Sequence, residues 1–393
     1  MTNCLIKSLL DNDLYKFTMQ QAVHALYPRA EVKYVFINRA NTKFPIGFDL
    51  RLKEEIKKME ELSLSEEEYL YLKDTCYFLT PVYLEFLKYY RYNSEEVHVS
   101  IDEGELKISI EGPWFRTILW EVPLMALVSE LYFSITEPDL FSLKEQHSRN
   151  IEKSIRLRDV GAQFVDFGTR RRFSADNHEQ VLRDIISVPH HTFQGTSNVL
   201  FAKELGVKPI GTHAHEWFMY HAAQNGYRLA NKTALDAWTQ AYQGSLGIAL
   251  TDTYTSDFFL NSFDSVKSRL FDGVRHDSGD PIEFTEKMLA HYKKHHIDPT
   301  TRTIVFSDGL DTDEVIRIKD YCAGKIRPSF GIGTHLTNDV GPKSLNMVIK
   351  LSKCRQDDQS QWIPVVKLSD SPGKHTGPKE EIDLCIRTIT RSV

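Results

Sequence analysis

TIVFSDGLDTDEVIRI (residues 303–318) and SFGIGTHLTND (329–339) decide the fold. In the first, an apolar run rich in β-branched residues ends at Ser307-Asp308-Gly309, and a helical pattern begins near Asp311 to Asp313. In the second, a similar run ends at Gly331-Ile332-Gly333-Thr334. Short apolar runs that stop at glycine and give way to a helix are strand–loop–helix units, which build parallel sheets. Upstream, AQFVDFG (162–168), VKPIGT (207–212), LGIALTD (246–252) and LFDGVRHD (270–277) repeat the pattern. So many units in succession predict an α/β sheet closed into an irregular barrel over residues 114–340.

The flanks are written differently. Residues 11–27 have helical spacing and stop at Pro28, and EVKYVFINR (31–39) reads as a strand. Residues 50–74 and 80–91 are amphipathic and predict helices, while 97–112 alternate around an Asp-Glu-Gly turn and predict a hairpin. Residues 1–113 are therefore expected to form an α+β domain. LNMVIKL (345–351) and WIPVVKL (362–368) predict that residues 341–393 return to it.

The 393 residues are too many for one small core. With 41% hydrophobic and 26% charged residues the composition is that of a globular protein, and a net charge of −6 argues against a general nucleic-acid binder. Five scattered cysteines without C-x-x-C spacing fit a reducing compartment. No run approaches the ~20 uninterrupted apolar residues of a membrane span, and the N-terminus lacks a signal-peptide pattern, so a cytoplasmic protein is expected.

Barrel enzymes keep their chemistry where strands end. Glycine at such corners lets backbone N–H groups approach an anion, so Asp308, Gly309, Gly333 and Thr334 are expected to line a phosphate cup. At 166–172 a strand delivers Phe167, a glycine bend and then Arg170, Arg171 and Arg172. Guanidinium groups suit phosphate or carboxylate, and Phe167 can stack on a flat ring. Only Arg170 or Arg171 is expected to serve the site. Gly195-Thr196-Ser197-Asn198 opens a helix, either as an ordinary cap or as an anion-binding turn. In GTHAHE (211–216), His213 and His215 would face the same way if extended, which raises a metal site; a neutral imidazole is equally a nucleophile. Asp280, Pro281 and Glu283 make a helix start, leaving Arg275 and Asp277 available at a strand tip. His190 and His191 are read as structural.

In family order, LLDNDLYKFTMQQA (9–22), FGTRR (167–171), GTSNVLFAKELGVKPIGTHAHEW (195–217), LTDTYTSDFFL (250–260), VRHDSGDP (274–281), FSDGL (306–310) and FGIGTHLTND (330–339) resemble nicotinate phosphoribosyltransferases. The resemblance spans nearly the whole chain. It implies a type II phosphoribosyltransferase fold, an α/β barrel beside an α+β sandwich. It implies ATP-coupled transfer of phosphoribosyl from phosphoribosyl pyrophosphate to nicotinate, with Mg2+, in a homodimer whose subunits share active sites. By motif, Tyr15 would cross the dimer to stack on the pyridine ring opposite Phe167. Arg170 and Thr212 would line the nicotinate pocket, and His215 would be phosphorylated by ATP. Arg275 and Asp277 would hold the ribosyl diphosphate, and Gly309, Gly333 and Thr334 the 5′-phosphate. Nicotinamide-using relatives carry Asp where this chain has Ser197; a hydroxyl there could donate to the acid's carboxylate, which favours nicotinate over nicotinamide. The metal ligands are left open. A barrel metal hydrolase using His213 and His215 is the rival of a different class.

Overall fold

In the computed structural model, residues 4–140, 143–189 and 191–390 are described; His190 lies outside them. Two sheets organise the chain. The antiparallel sheet has the order β11-β10-β1-β3-β2, built from β1 (Glu31–Asn38), β2 (Val97–Asp102), β3 (Glu105–Pro113), β10 (Met347–Arg355) and β11 (Ile363–Pro364). The parallel sheet has the order β5-β4-β9-β8-β7-β6. Its strands are β4 (Phe164–Asp166), β5 (Phe193–Thr196), β6 (Ile248–Leu250), β7 (Gly273–His276), β8 (Thr303–Phe306) and β9 (Arg327–Ile332).

The barrel closes through an irregular seam. VKPIGT, expected as a full strand, makes only a parallel bridge between Pro209 and Thr196, because proline has no N–H to give. Thr196 N donates to the Lys208 carbonyl and Ile210 N to that of Thr196. Gly195 is required there: a Cβ would lie 2.0 Å from the Lys208 carbonyl oxygen. On the other side no main-chain pairing reaches β6. Instead the Leu250 N–H donates to His213 Nε2 at 3.2 Å, and the Thr212 hydroxyl faces the Ile248 carbonyl at 3.5 Å.

The helices follow local signals. The span read as one helix over 50–74 breaks into Phe48–Lys58 and Glu66–Thr75, because Ser65 and Glu68 form a capping box that starts a new helix. Asn198 caps Val199–Leu205, which ends at Gly206 with φ +65°. Asp280 caps Pro281–Lys294 with Oδ1 accepting from Ile282 N and Glu283 N. Among the described residues, Trp114–Thr136 is long and apolar enough to cross a membrane, but 78% of its apolar window is buried inside the fold. That stretch went unnoticed in the sequence because Arg116 and Glu121 interrupt it. It is a core helix, with Trp114, Trp120 and Leu124 fully buried.

The C-terminal segment pairs with the first sheet through β10 and β1, from Glu31 opposite Arg355 to Asn38 opposite Met347. It then leaves that sheet for the barrel mouth, where Leu368 N donates to the Thr253 carbonyl and Ser256 is bound by Asp370. The N-terminal segment does likewise, with Leu14 N donating to the Ser197 carbonyl. One continuous hydrophobic cluster joins both sheets, from Leu9 and Val32 to Ile304 and Phe330.

Candidate active site

Three cavities open at the C-terminal ends of the barrel strands, and two of them share arginines. The larger, about 320 Å3, is lined by Phe167, Arg170, Arg171, Arg275, Gly309, Gly333 and Thr334 among others. The smaller, about 60 Å3, is lined by Tyr15, Glu121, Arg170, His215, Arg275, Asp277 and Lys350 among others. Arg170 and Arg275 belong to both. The glycine corners and the imidazole of His215 therefore face one cleft divided by two guanidinium groups.

At the narrow end, His215 opens the helix His215–Asn225 and is 6% exposed. Its Nδ1 lies 3.0 Å from Thr253 Oγ1, and its Nε2 lies 2.9 Å from both Asp277 Oδ2 and Lys367 Nζ. Burial, reinforced by the Lys367 charge, pushes the imidazole down to about 4. It is thus neutral at pH 7 and keeps a lone pair. With Nδ1–H donated to Thr253, the Nε2 lone pair accepts from Lys367 Nζ at the cleft. Asp277 is held well below the usual carboxylate range; burial opposes its charge, but Arg275 and His215 outweigh it. Arg275 donates to Asp277 Oδ1 and to Ser307 Oγ, each at 2.8 Å.

At the wide end, Gly309 has φ +59°, a left-handed corner no other side chain adopts easily. The helix after Gly333, Thr334–Thr337, is a single turn. Phe167 lies flat on Gly331, where a Cβ would meet its ring at 2.2 Å. Arg171 faces the same cavity; burial and the neighbouring Arg170 and Arg39 lower it to about 10, the mark of crowded positive charge. Arg172 instead is fully buried and grips Asp11 with two bonds of 2.7 and 2.8 Å.

Several expectations need correction. Ser197 is buried, and its hydroxyl donates to Asp13 Oδ1 at 2.7 Å, so it is not free for a substrate carboxylate. Thr212 spends its hydroxyl and carbonyl on the seam and on Thr18. The carboxylate of Asp308 is paired: Lys374 donates to both its oxygens, at 2.7 and 2.6 Å. Tyr15 lines the narrow cavity next to Arg170 and His215. His213 and His215 do not form a pair. His213 is a core residue stacked edge-on against Trp238, pushed down to about 3 by burial, and its Nε2 accepts the β6 N–H.

Other cleft residues gave little sequence signal, apart from Asp252 at the end of the run 246–252. Lys350 and Lys367 arrive from the C-terminal segment, Glu121 from the core helix and Asp252 from the end of β6. Lys350, half-buried, is lowered to about 7 by burial and by the charge of Lys367. His215, Asp252 and Asp277 bring ligand atoms within 4.8 Å of one another, the one such group among the described residues.

A parallel α/β barrel whose strand ends carry an arginine-walled anion cleft, with a neutral histidine at one end, defines a class: a barrel enzyme for phosphorylated substrates. The comparisons name the family within it. The profile of the nicotinate phosphoribosyltransferase (NAPRTase) family matches residues 162–388, and that of its N-terminal domain residues 10–129. The chain is 55% identical to a nicotinate phosphoribosyltransferase of Desulforapulum autotrophicum, covering 99% of this chain and 100% of the relative. It is 49% identical to one from Chromohalobacter salexigens, with 99% of each covered. Among solved structures, nicotinate phosphoribosyltransferase from Porphyromonas gingivalis superposes with a TM-score of 0.95 at 42% identity, covering 98% of this chain and 100% of that one. A putative nicotinate phosphoribosyltransferase from Saccharomyces cerevisiae gives 0.93 at 34%, with 99% of each covered. The chain belongs to the nicotinate phosphoribosyltransferase family, and it is an enzyme.

Proposed function

We propose that this chain transfers phosphoribosyl from phosphoribosyl pyrophosphate to nicotinate, forming nicotinate mononucleotide and diphosphate for NAD salvage, with ATP as the driving co-substrate. The observation that carries the reading is the single cleft in which Arg170 and Arg275 join the glycine corners to His215. In it, Gly309, Gly333 and Thr334 would take the 5′-phosphate, with Arg171 adding charge. Phe167 and Tyr15 would face the pyridine ring, and Arg170 would pair with its carboxylate. The pyridine nitrogen would attack C1 of the ribosyl group as the C1–O bond to diphosphate breaks. The residues hold these atoms in line, and Arg275 meets the charge of the leaving group.

ATP would enter through His215. Its neutral imidazole would take the terminal phosphoryl group, an N–P bond forming as the P–O bond to ADP breaks. A phosphoryl group beside Asp277 and Arg275 would change the charge at the diphosphate end and so link ATP use to substrate and product binding. Asp252 Oδ1 is buried and accepts no hydrogen bond among the described residues, which suits a hard cation. Asp252 and Asp277 would hold Mg2+, which when bound would neutralise diphosphate. A homodimer is supported by exposed Ile46 and Leu50 beside the first sheet, and a cytoplasmic setting by the five unpaired cysteines.

The test is mononucleotide formation from nicotinate, nicotinamide and quinolinate, each with and without ATP. Nicotinate should be turned over fastest and should be stimulated by ATP. Faster turnover of nicotinamide would replace this reading with the amide-specific one.

A further inference from the structure

A buried ion triad lies at the narrow cavity, its residues carried by three helices. Lys16 belongs to the first turn of Leu14–Leu26, Glu121 opens Glu121–Thr136, and Glu216 is the second residue of His215–Asn225. Lys16 is fully buried, with its Nζ 2.5 Å from Glu121 Oε2 and 2.7 Å from Glu216 Oε1. The helix dipole favours Glu216, in the first turn of His215–Asn225. It does not explain where the remaining contacts of Glu121 point. Its Oε1 lies 3.5 Å from Arg170 Nη1, and the Tyr15 hydroxyl lies 3.4 Å from Oε2. Both partners line the cavity.

We infer that Glu121 is a positioning residue for the ring subsite: it sets Arg170 and Tyr15, and Lys16 ties it through Glu216 to the helix that begins at His215. This rests on the functional reading above. Buried ion triads are often replaceable by apolar side chains without loss of stability. An apolar cluster, however, cannot hold a guanidinium in place. At 3.5 Å the Glu121–Arg170 contact is an ion pair but a long hydrogen bond, so it steers Arg170 without using up its donors. Those donors stay open to a substrate carboxylate. Lys16 keeps Glu121 charged: burial opposes its ionisation, yet Lys16 and Arg170 bring its carboxyl down to about 2. Tyr15 is set from a second side, since a Cβ on Gly211 would lie 2.8 Å from its backbone nitrogen. The chain Glu216–Lys16–Glu121–Arg170 is thus a continuous run of charge from beside His215 to the ring subsite.

The experiment compares wild type, Glu121→Asp and Glu121→Gln, the first two also in an Arg170→Gln background. Glu121→Asp keeps the charge that Lys16 needs and withdraws the oxygens from Arg170 by one methylene, so it folds even where Glu121→Gln does not. Both variants should raise KM for nicotinate by about fivefold or more while KM for phosphoribosyl pyrophosphate moves by less than about twofold. In the Arg170→Gln background, Glu121→Asp should add less than about twofold, because the two residues act as a unit. An unchanged nicotinate KM in Glu121→Asp overturns the inference. So does a parallel rise in both KM values with a lowered Tm, or a full effect without Arg170. Wild-type protein that forms no mononucleotide would overturn the functional reading first, and that control separates the two failures.

Discussion

Gly331→Ala tests the stacking site by the smallest possible change. A Cβ at this position would lie 2.2 Å from Phe167 Cδ2 and 2.3 Å from Cε2. Carbon atoms sit comfortably at about 3.5–4.0 Å, so the ring must retreat by more than about 1 Å. The backbone cannot move with it: Phe167 N donates to the Ile332 carbonyl at 2.8 Å, and Gly168 N to Asp166 Oδ1 at 2.8 Å. Phe167 therefore turns about its own side-chain bonds and leaves the face it offers to a flat ligand. Losing an aromatic pair costs about 0.5–1.5 kcal/mol, and a misplacement of about 1 Å can cost 100-fold in rate. The expected result is a 10- to 100-fold fall in kcat/KM for nicotinate, at roughly 1.4 kcal/mol per tenfold. Overpacking should cost about 1–3 kcal/mol of stability, leaving the protein folded. Initial rates against nicotinate at saturating phosphoribosyl pyrophosphate, with a thermal melt, decide it. A folded variant with wild-type KM and kcat would show that Phe167 does not touch the ring, and the stacking argument fails.

Ser197→Ala should leave the preference for nicotinate over nicotinamide unchanged, since the hydroxyl serves Asp13, while costing about 1–3 kcal/mol in urea unfolding; a shifted preference would return Ser197 to the substrate. His215→Ala should keep some phosphoribosyl transfer but lose stimulation by ATP, and full stimulation in a steady-state assay would rule out the phosphohistidine. His215 also makes stability depend on pH. Its folded pKa, about 4, lies below the ordinary 6.5, so the unfolded chain binds the proton first and stability falls as pH drops through this window. Relative to His215→Asn, wild type should lose about 2 kcal/mol between pH 7 and pH 5 in urea melts. A pH-independent difference would mean that the imidazole is not held neutral.

Much of the barrel was legible because its strands end in Gly, Asp or Thr before helical spacing begins, as at Ser307 to Asp311. β5 was not: Gln194-Gly195-Thr196 is short and half polar, and only its neighbours make it a strand. His215, Arg275 and Asp277 could be picked out from their place at strand ends. Ser197 and Asp308 sit at equally suggestive places, but their partners, Asp13 and Lys374, lie 184 and 66 residues away. Nothing local announces such a pairing. Lys367, Lys350 and Glu121 escaped for the same reason: each looks like an ordinary charged residue until tertiary structure turns it inward.

The last stretch of β10 and the loop behind it have a consequence for how the protein comes into being. Chains emerge from the ribosome N-terminus first. A growing chain can lay down β4 to β9 and still lack Lys350, Lys367 and Lys374, which follow later in the sequence. The strand that carries Lys350 must also find β1, some three hundred positions earlier, a distant and therefore slow encounter. The cleft is finished only after residues 350 to 374 have emerged, so a copy stopped before them holds its histidine without the amine that neighbours it.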